Sequence, residues 1–271
     1  MVKDIVANRK RLSFGRKLAI ARRALRENGP VWLGTTALYL LASQAAVALH
    51  GSMEAQRRRR GLPGLNSLAL NRQIWEGWDW SAGGEEWTPS EAWKASLVAA
   101  ILVPQIPEGQ RVLEIGPGAG RWTGPLLDRA ASLVGVDISA ASVEACRLRF
   151  ADDPRAAFYQ TGGADLAAVA DASIDRVWSF DVFVHINATE VAAYLAEIAR
   201  VLVPGGRAIL HHGGLAGQGG GWRSDLTAAR MADLIEAAGL TRLSEITRWE
   251  HAGETHALAY GDVISVIARP G

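Results

Sequence analysis

Glycines 116, 118 and 120, in the stretch Arg111 to Gly120 (RVLEIGPGAG), follow a short apolar run, Val112 to Ile115. Only glycine takes positive φ without strain, and a loop free of side chains lets a ligand lie against the backbone, which suits a nucleotide. Arg121-Trp122-Thr123 then opens a helix whose free amides and dipole face the same ligand. About twenty residues on, SLVGVDIS repeats the apolar run and ends at Asp137, followed by Ile138. In a βαβ unit, a carboxylate at the tip of the second strand reaches the ribose of a ligand held by the first loop. Further along, DASIDRVWSFDVFVHI brings Ser179, Phe180, Asp181 and His185 to the end of another strand, and the next strand ends in His211-His212. An imidazole so placed can take a proton from an acceptor hydroxyl or amine, because its ordinary pKa lies near neutrality. The competing role for His185 is purely structural, a bond to the loop backbone.

The spacing is G-x-G-x-G with Glu114 two residues ahead of the first glycine, not the dinucleotide G-x-G-x-x-G. Glu114, Gly116, Gly118 and Gly120 match, position for position, the E-x-G-x-G-x-G first motif of class I S-adenosylmethionine-dependent methyltransferases, and Arg111 to Arg269 resembles that family. The resemblance implies S-adenosyl-L-methionine as cofactor, with Arg121, Asp137, Ile138, Ser179 and Phe180 around it. Relatives accept from the adenine amine with a side chain in the loop after the third strand. This chain has Thr161, Gly162 and Gly163 there, which leaves the role to Asp165 or to backbone groups; Asp165 would look the same as a helix N-cap. Similar enzymes carry an S-F-D-x-x-x-H-like segment with the histidine near the acceptor, which makes His185 the candidate base, with Asp181 and His211 beside it.

In that family the segment before the first strand often folds over the cofactor. Here it holds five of the ten tryptophans: Trp75, Trp78, Trp80, Trp87 and Trp93. Trp75 and Trp78 are candidates for the acceptor pocket, where an indole face attracts a sulfonium, and His212 is a third. The alternative is that the indoles only pack an extra helix on the sheet. A metal site from Asp181, His185 and a fifth-strand histidine lacks fixed ligand spacing, so no metal is assigned.

The elements that position these residues alternate regularly. Strands are expected at 112–115, 133–136, 157–160, 174–180 and 207–210, with helices after 121, over 140–150 and over 189–202. A helix over 227–238 follows, then strands near 240–247 and 262–269. The expected fold is a Rossmann-like, doubly wound, mostly parallel seven-stranded sheet with an antiparallel last strand, preceded by an N-terminal helical extension. Three regions follow: a basic and apolar helical extension over 1–60, a Trp-rich helical cap over 61–110, and the cofactor-binding domain over 111–271. The GGLAGQGGGW stretch after the histidines is expected to be an acceptor-binding loop.

Charge divides unevenly over the 271 residues. Residues 1–60 hold 13 of the 29 Lys and Arg and three of the 28 Asp and Glu, so they carry +10 and the remainder −9. A basic arm on an acidic body suits an anionic membrane surface or a solvated helix. Val31 to Leu49 is free of charge over a length that could span a bilayer, but alanine, glycine, threonine and glutamine dilute it. Three readings stay open for it: a packed or dimer-forming helix, peripheral membrane attachment, or a span. The single cysteine, Cys146, excludes an intrachain disulfide and fits a cytoplasmic setting.

The function expected is methyl transfer to an oxygen, or a nitrogen, of a small-molecule or carbohydrate-like acceptor. A lipid or lipid-linked acceptor is the first rival. An inactive cofactor-binding regulatory partner is the rival from another class. Nucleic acid is not expected as acceptor, because the catalytic part is net acidic.

Overall fold

The computed structural model describes residues 13–215, 223–224 and 226–271. The expected acceptor loop falls largely on 216–222, outside the described residues. Two compact units are present, Met1–Leu62 and Pro63–Gly271.

The first unit is a helix, α1 (Phe14–Arg60), broken at Gly29, whose φ of 80° lies outside helical space just before Pro30. The ring of Pro30 removes a donor and clashes with the preceding turn, so helical hydrogen bonding cannot pass through it. Gly61 ends the helix in the left-handed conformation, its N–H returning to the Arg57 carbonyl. No described residue of α1 is buried.

The second unit is built on a seven-stranded sheet. Its strands are β1 (Gln110–Ile115), β2 (Ala130–Asp137), β3 (Ala156–Gln160), β4 (Ile174–Phe183), β5 (Leu202–His212), β6 (Thr241–Ile246) and β9 (Val263–Ala268). A separate hairpin joins β7 (Arg248–His251) to β8 (Glu254–Ala257). The order across the sheet is β3-β2-β1-β4-β5-β9-β6, parallel except for β9, which runs antiparallel to both neighbours. The expected sheet is therefore present, with its antiparallel last strand inserted between β5 and β6. The order reverses between β1 and β4, which opens a crevice at their carboxyl ends.

Strand alternation divides the core. Leu113, Val177 and Leu210 face one layer, with α6 (Ala188–Val201) and α7 (Ala228–Ala237). Val112, Trp178 and Ile209 face the other, against α3 (Glu91–Leu97), α4 (Thr123–Leu127) and α5 (Ala140–Arg149). On α6 the buried Val191, Tyr194, Leu195, Ile198 and Val201 recur at helical spacing, and each fully buried apolar side chain is worth about 1.5–3 kcal/mol. Short helices are closed by side-chain caps: Ser139 accepts from Ser142 N–H for α5, and Thr227 from Arg230 N–H for α7.

Two boundaries differ from the sequence expectation. β4 continues past Phe180 to Phe183, through a register shift between Ser179 and Phe183. β5 begins at Leu202, directly after α6, because Gly205 at φ 76° turns within the extended segment rather than ending a helix. The β7–β8 hairpin was not anticipated; its four-residue strands are too short for alternation to show.

Candidate active site

The crevice holds a cavity of about 720 Å³. That volume falls within the usual range for small-molecule sites. One end is the glycine loop. Gly116 N–H bonds the Val136 carbonyl at 2.8 Å, which carries the chain from β1 toward β2. Gly116 has φ 70°, and a Cβ there would lie 2.2 Å from Val182 Cγ2, so only glycine fits. Gly118, at φ 57°, passes beneath the indole of Trp80, 2.9 Å from where its Cβ would be.

Asp137 ends β2 beside this loop. Its carboxylate accepts from Ser139 N–H at 2.9 Å and Gly118 N–H at 3.2 Å, while burial pushes its pKa up to about 6. Glu114 lies below the loop rather than in the cavity. It accepts from Thr123 Oγ1 at 2.6 Å, and burial raises it to about 7. Gly120 is also outside the lining, packed toward Phe150. Ile138, Gly163 and Tyr194 line the cavity wall, and a side chain on Gly163 would run into Ile138. Asp165 does not line the cavity. It turns back on its own loop to accept from Gly162 N–H at 2.7 Å, the structural alternative to an adenine contact. Ser179 is also turned away, donating to the Ile115 carbonyl at 2.9 Å and so tying β4 to β1 across the crevice.

The lid over this end comes from residues before β1. Helix α2 (Leu68–Glu76) is capped by Ser67 and followed by a run of tight turns that gathers Trp75, Trp78, Trp80 and Trp87 into one aromatic cluster, with ring centroids 5.1 to 6.2 Å apart. Trp75, Trp80 and Trp87 line the cavity. Trp78 does not; it backs the cluster and donates to Glu86 at 2.8 Å. Trp93 closes the far side, its indole N–H on the Ala257 carbonyl of β8 at 3.2 Å.

Further ionisable groups line the cavity. His185 follows β4 and lies edge-on to Trp75, centroids 5.5 Å apart, while Asn71 Nδ2 donates to its carbonyl at 2.8 Å. Asp181 sits at the register shift of β4 with φ 62°, a conformation that costs a non-glycine residue and persists where surroundings enforce it. Arg121 holds its carboxylate at 2.5 Å, and His211 Nδ1 lies 3.1 Å from its other oxygen. His211 Nε2 is 3.2 Å from Asp262, which also pairs with Arg223. Burial alone would push His211 down, yet the two carboxylates outweigh it and hold its pKa above the ordinary value. Burial likewise opposes the Asp181 charge, but His211 and Arg121 prevail and hold it below the usual carboxylate range.

Neighbouring histidines on one strand part company. His211 faces the cavity, whereas His212 points to the opposite face, as successive strand residues must. It bonds Ser265 Oγ at 2.8 Å and the Gly213 carbonyl at 2.9 Å, and burial lowers it to about 4. His212 is therefore not an acceptor contact, which corrects the expectation that both histidines face the pocket.

Sequence reasoning missed Asp262, Arg223 and Tyr260, all in the lining. Asp262 carried a signal: it is the acid just before the apolar run of β9, and an antiparallel strand beside β5 starts at the edge where parallel strands end. Arg223 had none, lying in an irregular segment and placed by its ion pair and by Tyr260, 4.8 Å beneath the guanidinium.

Residues 112–206 match the family model described as a methyltransferase domain. The chain is 35% identical over 121 residues to a demethylmenaquinone methyltransferase of Clavibacter sepedonicus, which covers 44% of this chain and 46% of that protein. It is 30% identical over 99 residues to a ubiquinone biosynthesis O-methyltransferase of a Chelativorans species, covering 36% and 38%. The chain thus matches less than half the length of these relatives. The fold resembles geranyl diphosphate C-methyltransferase from Streptomyces coelicolor, solved with S-adenosyl-L-homocysteine, at TM-score 0.57 and 13% identity over 74% of this chain and 97% of that one. Residues 112–206 thus carry a methyltransferase domain, set on a sheet of order β3-β2-β1-β4-β5-β9-β6.

Proposed function

We propose that this chain transfers the methyl group of S-adenosyl-L-methionine to an oxygen, or a nitrogen, of a small-molecule acceptor, with His185 as the base. The observation carrying this reading is one continuous cavity. Gly116, Gly118, Asp137, His185, Asp181 and His211 all line it.

The residues present fit the cofactor. Gly116 and Gly118 bring backbone to the cavity wall, and the buried Asp137 carboxylate at the strand tip suits ribose hydroxyls. When bound, the cofactor supplies an activated methyl on a sulfonium. The protein's own part is to hold the acceptor in line with that methyl, exclude water and take the acceptor's proton. Trp75, Trp80 and Trp87 cover the site and present π faces to a cationic sulfur. His211 has a carboxylate beside each ring nitrogen, so it serves to hold Asp181 rather than to receive a proton. His185, on the cavity wall next to Trp75, is the base in this reading.

Calorimetric titration with S-adenosylhomocysteine, then release of that product in the presence of candidate acceptors, tests the proposal. Binding without turnover over a broad panel would favour a regulatory partner. A lipid-linked acceptor is the second reading, favoured by the exposed apolar helix α1.

A further inference from the structure

We infer that α1 anchors the enzyme to an anionic bilayer by lying within the interface, not by crossing it. None of the described residues of α1 is buried, and its two arms expose long apolar side chains. The arm before the break has the pattern of a surface-lying helix, and the arm after it is apolar on most of its circumference. Before the break, Phe14, Leu18, Ala21 and Leu25 recur at i, i+4, i+7 and i+11, with Arg16, Arg23 and Arg26 on the other side. After it, Val31, Leu38, Leu41, Ala45 and Leu49 form one stripe, while the other side mixes Trp32, Leu33, Tyr39, Leu40 and Val47 with Thr36 and Ser43. The apolar stripe is bare: Val31 is 82% exposed, Leu38 69%, Leu41 64% and Leu49 70%.

Charge decides between lying and crossing. The uncharged stretch 31–49 is about 28 Å long at 1.5 Å per residue, enough to cross a hydrocarbon core of about 30 Å. Crossing would place Arg22, Arg23 and Arg26 on the side opposite Arg57–Arg60. The second unit follows Arg60 and, on the methyltransferase reading, stays where the cofactor is. Basic segments also favour that side and resist translocation. Both arginine clusters are satisfied together only if the helix remains in one leaflet with anionic headgroups at each end. The break at Gly29-Pro30 then lets the basic arm and the apolar arm take different depths.

The test uses the full chain with sealed vesicles of phosphatidylcholine, with and without phosphatidylserine. Flotation is expected only with phosphatidylserine, and replacing Arg57, Arg58, Arg59 and Arg60 by Gln should weaken it roughly tenfold or more. Cys146 is fully buried, so single cysteines introduced by Ser13→Cys and Leu62→Cys can be read with a membrane-impermeant maleimide. Both should label from outside the vesicles. Protection of Ser13→Cys alone would mean a span and overturn the inference. So would a chain that ignores vesicles and sediments as a dimer, its apolar stripe covered by a second copy. Titration of the same protein with S-adenosylhomocysteine reads the functional proposal separately: vesicle binding without cofactor binding would sink that proposal and leave the anchor standing.

Discussion

Asp181 and His211 face each other from adjacent parallel strands, Oδ1 to Nδ1 at 3.1 Å, with the imidazole stacked on Phe180 at 4.1 Å between centroids. The pair is closed at both ends by arginine, Arg121 on Asp181 and Arg223 on Asp262. Breaking one member of such a buried network leaves charges uncompensated, which typically costs about 3–5 kcal/mol.

The pair should therefore shape the stability profile. His211 has its pKa raised by folding, so its contribution is complete below the unfolded value near 6.5 and fades as pH climbs through the raised folded value. Asp181 has its pKa lowered, so its contribution is present above the unfolded value near 3.8 and is lost as pH falls toward the lower folded one. His211→Gln should lower Tm most in weakly acidic buffer and least in alkaline buffer. A Tm deficit that does not change with pH would show that no proton is linked to the pair.

Glu114 makes the opposite prediction. Its folded pKa of about 7 exceeds the ordinary 4.5, so the penalty is absent below 4.5, grows from there to about 7 and is complete above. Glu114→Gln keeps an acceptor for Thr123 and removes the charge. At pH 8 the free variant should be more stable than the parent, by an amount on the order of 1–3 kcal/mol. Chemical denaturation at pH 8 and pH 4 checks this; the difference should vanish at the lower value.

Most of the sheet was legible because its strands are long apolar runs punctuated by glycine, and the cofactor end because backbone geometry there demands particular residues. Gly116 and Asp137 reveal themselves by type and spacing. The acceptor end was legible only in part. His211 and His212 look alike in sequence, and the pleat alone decides which one faces the cavity. Arg223 and Tyr260 converge from irregular segments whose positions depend on tertiary contacts, and β4 passes through a bulge at Asp181 that periodicity does not register. Asp165 and Ser179 illustrate the reverse: well placed by pattern, they are spent on loop and strand contacts.

Gly118→Val puts a branched side chain at φ 57° against the Trp80 indole. The variant should lose S-adenosylhomocysteine binding by at least about tenfold, through both the altered loop backbone and the displaced tryptophan. Circular dichroism and titration together check it. A folded variant with unchanged affinity would remove the glycine loop from the cofactor site.

His185→Ala separates the two imidazoles of the cavity. A positioned base contributes about 10²–10⁴-fold, so turnover should drop by that order while cofactor affinity stays nearly constant. The loss should shrink as pH rises, when an ionised acceptor no longer needs a base. Asp262→Asn provides the control. It removes a carboxylate from His211 without touching His185, so its main effect should be on stability and on acceptor KM, with the pH dependence of kcat retained. If Asp262→Asn instead shifts the pH–rate profile while His185→Ala turns over normally, the proton passes through His211, and the acceptor lies against β5 and β9 rather than beside Trp75.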